Sequence, residues 1–219
     1  MIIDKSNYSL NHFTNSKIIG TTKIESTVGA WQKYQRHLLL EESMKQSTVN
    51  GYVCEFGVLK GSTLSIISKY FNPLLVYGFD SFEGLPEAWH LTDKHVFEKG
   101  RMALKEIPKV DANVELVKGW YDNTLPVWIE THKKPMRFIH VDCDLYKSTL
   151  TILFNLNEQI VPGTVIQFDD FYNWYDPSDY TKWKEGEYAA LGEWISKYDR
   201  KFEIIGRSNY FQTSIKVVE

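Results

Sequence analysis

Val53-Cys54-Glu55-Phe56-Gly57-Val58-Leu59-Lys60-Gly61-Ser62 is the stretch on which the reading of this 219-residue chain turns. Its first half is short and apolar, as a strand covered on both faces must be. Glycines follow at 57 and 61, and helical spacing begins at Ser62. Strand, glycine turn and helix in that order predict a parallel α/β unit. The turn itself has two readings. Glycine lets backbone approach a ligand closely, and a helix start favours electron-rich groups; the same glycines also serve a plain strand-to-helix turn. The spacing Glu55-x-Gly57-x-x-x-Gly61 is neither the Gly-x-Gly-x-x-Gly of dinucleotide binders nor a P-loop, which needs Gly-Lys-Ser/Thr.

Working outward, apolar runs predict strands at 52–56, 74–79, 114–118, 137–141 and 164–168. Helical spacing predicts helices at 26–46, where Ala30, Trp31, Tyr34, Leu38 and Leu39 recur, and at 62–70, 125–131, 148–160 and 187–198. A further helix is expected around 96–106, inside a long connection over 81–112. Runs at 202–206 and 210–217, joined by Arg207-Ser208-Asn209, predict an antiparallel hairpin at the sheet edge. The expected architecture is one α/β domain over 1–219, a mostly parallel seven-stranded sheet with helices on both faces. Residues 1–48 would be a helical extension and 171–186 a loop over the site.

Composition narrows the functions. Hydrophobic residues are 43% and charged residues 24% of the chain, and the net charge is -3, so no basic footprint for nucleic acid is expected. Cys54 and Cys143 have neither disulfide-framework nor metal-ligand spacing and read as core thiols. The opening Met1-Ile2-Ile3-Asp4-Lys5 lacks a basic region followed by an apolar run, so no leader is expected, and no eighteen consecutive residues are apolar. A soluble cytoplasmic protein without membrane contact is the expectation.

Acidic residues gather at the predicted carboxyl ends of the strands, where ligands bind in open α/β sheets: Glu55, Asp80, Asp142, Asp144, Asp169 and Asp170. Asp80 can accept both hydrogen bonds of a ribose diol, or cap the segment that follows. Asp142, Asp169 and Asp170 come from strands expected side by side, and three converging carboxylates repel unless a hard divalent cation joins them; each alone also serves as a cap. Asp144, two residues past Asp142, would face the same way in an extended strand end and reach a substrate. His140 is a rival base or a satisfied core histidine. The aromatic run Phe171-Tyr172-Asn173-Trp174-Tyr175 reads as a substrate lid or as a surface loop packing on the hairpin.

Longer strings carry a resemblance. Glu55 to Ser62, Gly78-Phe79-Asp80-Ser81-Phe82-Glu83-Gly84-Leu85-Pro86-Glu87, Lys118-Gly119-Trp120-Tyr121-Asp122-Asn123-Thr124-Leu125-Pro126, Val141-Asp142-Cys143-Asp144-Leu145-Tyr146-Lys147-Ser148-Thr149 and Pro162 to Phe171 together resemble the macrocin/mycinamicin-type sugar O-methyltransferases. These have the Rossmann-like class I S-adenosylmethionine-dependent fold. The resemblance implies that Glu55, Phe56, Gly57, Gly61 and Ser62 hold the methionine part of S-adenosylmethionine and Asp80 its ribose. Ser81, Phe82, Gly119 and Trp120 would flank the adenosine, with Asp142 beside the cofactor. It also implies Mg²⁺ on Asp142, Asp169 and Asp170, Asp144 as general base, and a sugar or glycoside hydroxyl as acceptor, from a natural product or a polysaccharide precursor. Tyr146, Phe171, Tyr172 and Trp174 are the substrate-wall residues expected, and a homo-oligomer is in keeping with such relatives. Three alternatives remain: a metal-independent methyltransferase, a nicotinamide-dependent oxidoreductase using Tyr180-x-x-x-Lys184, and a binding module without activity.

Overall fold

Two of the apolar runs show why the sheet forms as it does. In 52–56 and 136–141 alternate residues point to opposite faces, and each face meets a different set of helices. The computed structural model describes residues 1–20 and 28–219, residues 28–33 by their backbone. Residues 26 and 27 of the expected first helix, and the side chains of Ala30 and Trp31, lie outside the described residues.

In chain order the elements are β1 (Ile2–Ile3), α1 (Leu10–Thr14), α2 (Val28–Gln46), β2 (Tyr52–Phe56), α3 (Ser62–Phe71), β3 (Val76–Asp80), β4 (Trp89–His90), β5 (Val96–Phe97), β6 (Val114–Lys118), α4 (Tyr121–Thr131), β7 (Met136–Val141), α5 (Tyr146–Asn155), β8 (Val165–Phe168), α6 (Glu187–Tyr198), β9 (Phe202–Arg207) and β10 (Thr213–Val217). Among the described residues eight strands make one sheet in the order β1-β9-β10-β8-β7-β2-β3-β6. Strands β8, β7, β2, β3 and β6 are parallel, and β10, β9 and β1 run antiparallel beyond them. The sheet thus has one strand more than the seven expected. Ile2 and Ile3 pair with β9, so the hairpin is covered by β1 instead of ending the sheet.

Cys54, Phe56, Phe79, Ile139 and Val141 face the core shared with α4, α5 and α6. Val53, Val76, Phe138 and Val165 face the other core, with Leu40 and Met44 of α2 and Leu64, Ile67 and Phe71 of α3. By the same alternation Glu55 and His140 point to the side that α2 covers, a placement that matters below. Gly78 is what lets α3 lie close: a Cβ there would stand 2.6 Å from Leu64 Cδ2.

The expected helix at 96–106 is not formed. Trp89 pairs with Phe97 and His90 with Val96 in a small antiparallel hairpin. Gly100 donates its N–H to Leu85, Leu85 to Arg101, and Leu104 to Phe82. Backbone committed to these partners cannot close a helical ladder, and φ of 78° at Gly100 and 73° at Met102 turns the chain the wrong way for one. No helix among the described residues is long and apolar enough to cross a membrane.

Candidate functional site

Beyond four of the five parallel strands one further backbone bond carries the ladder into the loops. Gly57 donates to Phe79, Asp142 to Phe56, Gly119 to Asp80 and Asp169 to Val141. The first residues of four loops are therefore held in strand register at one rim. The chain runs from β2 outward to β3 and β6, then returns to β7 and β8 on the other side, so the switch in direction falls between β2 and β7, where such folds bind ligands. A cleft of about 900 Å³ opens there, at the upper end of the range for small-molecule sites. Gly57, Asp80, Ser81, Gly119, Trp120, Asp142, Asp144, Asp169 and Asp170 line it.

The glycine turn takes left-handed backbone at Gly57, Leu59 and Gly61, with φ of 96°, 47° and 76°. Its tightest point is Gly57, where a Cβ would come within 1.8 Å of the Asp142 carbonyl oxygen. Gly61 and Ser62 lie outside the lining, while Phe56 stacks on Phe79 beneath it, their centroids 4.7 Å apart. Phe82 is buried against α3. Asp80 does more than face the cleft. Its Oδ2 accepts the N–H groups of Val58 (2.9 Å) and Leu59 (2.8 Å), and its Oδ1 accepts that of Phe82 (2.7 Å). A carboxylate has about four acceptor positions, so one remains, on Oδ1. In this arrangement Asp80 ties the glycine turn down and can take one ligand hydroxyl rather than two.

The other side of the cleft is a buried acidic cluster. Ligand atoms of Asp142, Asp169 and Asp170 all lie within 4.8 Å of one another, as do those of Glu55, His140 and Asp142. His140, fully buried, places Nδ1 3.0 Å from Glu55 Oε1 and Nε2 3.4 Å from Asp169 Oδ1. Burial alone would lower its pKa, but Asp169 and Glu55 outweigh this and push it up to about 10. Burial in turn pushes Glu55 up to about 7 against the pull of His140. Asp144 is pushed up to about 8 by burial and then by Asp142. Burial also raises Asp142, Asp170 and Glu187. Asp169 is the exception: Arg36 and His140 overcome its burial and lower it.

Arg36 is the residue that sequence reasoning missed. It reaches in from α2, its terminal nitrogen donating to Asp142 Oδ2 and its Nε standing 2.9 Å from Asp169 Oδ1. An arginine on an amphipathic helix reads as a solvated face, and only the packing of α2 over Glu55 and His140 turns it inward. Even so the cluster remains short of positive charge. Buried Glu187 Oε1 and Glu55 Oε2 have no hydrogen-bond partner among the described residues, and Asp169 Oδ1 has only its ion pairs with Arg36 and His140. An all-oxygen set with unfilled acceptors suits a hard divalent cation.

The structure corrects other expectations. Asp144 does not continue an extended strand, for its φ is 63°; it reaches the cleft through a left-handed turn. Phe171 is no substrate wall but core, fully buried against Phe13, Phe168 and Tyr188. Tyr172 packs on Trp174 and Trp183, Trp174 lies under Arg207, and the Tyr146 hydroxyl donates to Glu193; none of the three lines the main cleft. Segment 171–186 buttresses the cleft at second hand: Tyr180 meets Trp89 edge to face at 6.1 Å, and Trp89 lines it. That burial also takes Tyr180 out of any Tyr-x-x-x-Lys role. Cys54 and Cys143 are free and buried, as expected.

Known proteins resemble this chain in sequence and in fold. A methyltransferase of Streptomyces olivaceus, 8-demethyl-8-(2,3-dimethoxy-alpha-L-rhamnosyl)-tetracenomycin-C 4'-O-methyltransferase, is 30% identical over 154 residues, covering 59% of this chain and 56% of its own. The chain thus spans little more than half the length of that relative. CalS11, the calicheamicin methyltransferase, superposes with a TM-score of 0.61 at 22% identity, over 94% of this chain and 89% of its own. MycE, a methyltransferase from the mycinamycin biosynthetic pathway solved with Mg and SAH, gives 0.53 at 17% identity, over 99% and 55%. These two likenesses are of fold. The family model for macrocin O-methyltransferase matches residues 26–184, most of the sequence including every strand of the parallel sheet, and the chain belongs to that macrocin O-methyltransferase (TylF) family.

Proposed function

We propose that the chain transfers a methyl group from S-adenosylmethionine to a hydroxyl of a sugar or glycosylated small molecule, assisted by a divalent cation of the Mg²⁺ kind. The observation that carries this reading is the meeting, in one cleft, of a glycine turn anchored by Asp80 with the carboxylates of Asp142, Asp144, Asp169 and Asp170. The tetracenomycin relative acts on a rhamnosyl group, which supports a sugar acceptor.

S-adenosylmethionine brings the methyl group already activated on its sulfonium. The chain has to hold it and align it. Gly57 and its turn would cradle the methionine part, with the buried carboxylate of Glu55 beneath. Asp80 Oδ1 would take one ribose hydroxyl, and Ser81, Gly119 and Trp120 would border the adenosine. Fixing donor and acceptor at attack distance contributes on the order of 7–11 kcal/mol. A divalent cation on Asp142, Asp169 and Asp170 would make an acceptor hydroxyl more acidic. Asp144, beside them at the cleft wall, would take the proton.

One observation favours the metal-independent alternative: Arg36 already supplies a permanent positive charge to Asp142 and Asp169. A transfer assay with S-adenosylmethionine and a set of nucleotide-sugars and glycosides, run with Mg²⁺ and with EDTA, decides. The expected result is transfer that EDTA suppresses and Mg²⁺ restores. Transfer undiminished by EDTA would select the alternative, and calorimetry showing no S-adenosylmethionine binding would sink the whole reading.

A further inference from the structure

We propose that Arg36 and a divalent cation compete for the carboxylates of Asp142 and Asp169, so that loading the ion releases the guanidinium and loosens the hold of α2 on the site. This rests on the reading that Asp142, Asp169 and Asp170 bind such an ion.

The argument begins with which lone pairs are taken. Arg36 spans two different carboxylates, its terminal nitrogen on Asp142 and its Nε against Asp169. Both belong to the trio whose ligand atoms lie within 4.8 Å. Acceptor positions facing a guanidinium are not open to an ion, and a +2 charge drawn into the same trio repels the +1 already there.

The fit of Arg36 is also incomplete. A guanidinium is matched best by one carboxylate taken through two parallel N–H bonds. Here the fork is split between two acids. Arg36 Nε and Asp169 Oδ1 are buried and 2.9 Å apart but not aligned for a hydrogen bond, and the other cation at that oxygen, His140 Nε2, stands off at 3.4 Å. Asp169 is 5% exposed, so that oxygen has no bulk water to turn to. The guanidinium answers the charge of the cluster without answering its directional needs. An oxygen-seeking cation can answer both.

Placement gives the competition a mechanical consequence. Arg36 is 27% exposed at its side chain and lines the cleft, so it has an outward path, unlike fully buried His140. Its helix packs through Leu40 and Met44 on the face carrying Val53 and Phe138. Those contacts lie further along α2 and would persist when Arg36 leaves. Release would therefore loosen the part of α2 nearest the site and leave the rest seated.

The test uses Mn²⁺ as the probe, on the full chain without cofactor. Affinity is read from the electron paramagnetic resonance of free Mn²⁺ for wild type, Arg36→Met and Arg36→Lys, with folding checked by circular dichroism. Arg36→Met should bind roughly tenfold or more tightly than wild type, and Arg36→Lys, which keeps the charge, should fall between. Amide hydrogen exchange over residues 34–39 of the wild type should quicken on adding Mn²⁺, while that of 40–46, held by Leu40 and Met44, stays as it was. Equal or weaker binding by a folded Arg36→Met overturns the competition and leaves the cation reading standing. Should that variant not fold, exchange over 34–39 that stays unchanged or slows in the wild type overturns it. If neither wild type nor variant binds Mn²⁺, the cation reading fails and this inference with it. Binding by the variant alone is the strongest support.

Discussion

Asp144→Asn separates a carboxylate from the backbone that presents it. The residue has φ of 63°, a region Asn adopts about as readily as Asp and Ala resists by about 1–2 kcal/mol. Asn therefore keeps the turn, which Ala would strain. The carboxyl is 8% exposed, and burial followed by Asp142 pushes its pKa up to about 8. Between the ordinary carboxylate value of about 4 and this value, the folded chain holds a proton that the unfolded chain has released. Folding is thus favoured at low pH and loses about 1.4 kcal/mol per pH unit from this group until about pH 8, where the loss levels off. Asn carries no such slope. Urea denaturation at pH 5, 6, 7 and 8 without divalent ions should show the variant gaining on the wild type at each step. Catalysis should move the other way, with turnover falling about 10²- to 10⁴-fold while S-adenosylmethionine binding is little changed. With Mg²⁺ present, rate should climb with pH to a midpoint below about 8, because the base works deprotonated and the cation favours its carboxylate form. A variant that turns over within tenfold of wild type removes Asp144 from the reaction. A stability gap indifferent to pH would falsify the account of its burial.

Three further substitutions test the scaffold. Asp80→Ala leaves the N–H groups of Val58, Leu59 and Phe82 without their acceptor and should cost about 2–4 kcal/mol in urea; a loss under about 1 kcal/mol would mean that Asp80 serves a ligand and not the turn. Gly57→Ala drives a Cβ to 1.8 Å from the Asp142 carbonyl at a φ of 96°. It should destabilise by about 2–4 kcal/mol and weaken Mn²⁺ binding through Asp142, whereas normal stability would show that β2 and β7 do not meet this closely. Phe171→Ala should cost about 3–5 kcal/mol with KM for the acceptor unmoved, and the reverse pattern would restore Phe171 to the substrate wall.

What was legible in the sequence follows from what is local. The apolar run along 52–56 and the glycines at 57 and 61 settle strand and turn within a dozen residues, since a strand covered on both faces needs continuous apolar residues and the turn needs left-handed backbone. That Asp80, Asp142, Asp169 and Asp170 meet at one cleft was legible because a parallel sheet brings its carboxyl ends to one rim whatever the details of packing. Where local pattern and long-range pairing compete, pairing prevails. The apparent helix at 96–106 gave way to bonds with Leu85 and Phe82, and Phe171, one residue past Asp170, turned into the core.

The sequence by itself thus determined the sheet, its rim of carboxylates and the chemistry that rim suggests. Only the tertiary structure decided how their charge is balanced. Arg36 meets Asp142 across 106 positions of chain, and no spacing along the sequence encodes that approach. It exists because α2 covers the face on which Glu55 and His140 point, and because a buried cluster of acids draws in whatever cation the fold can bring near.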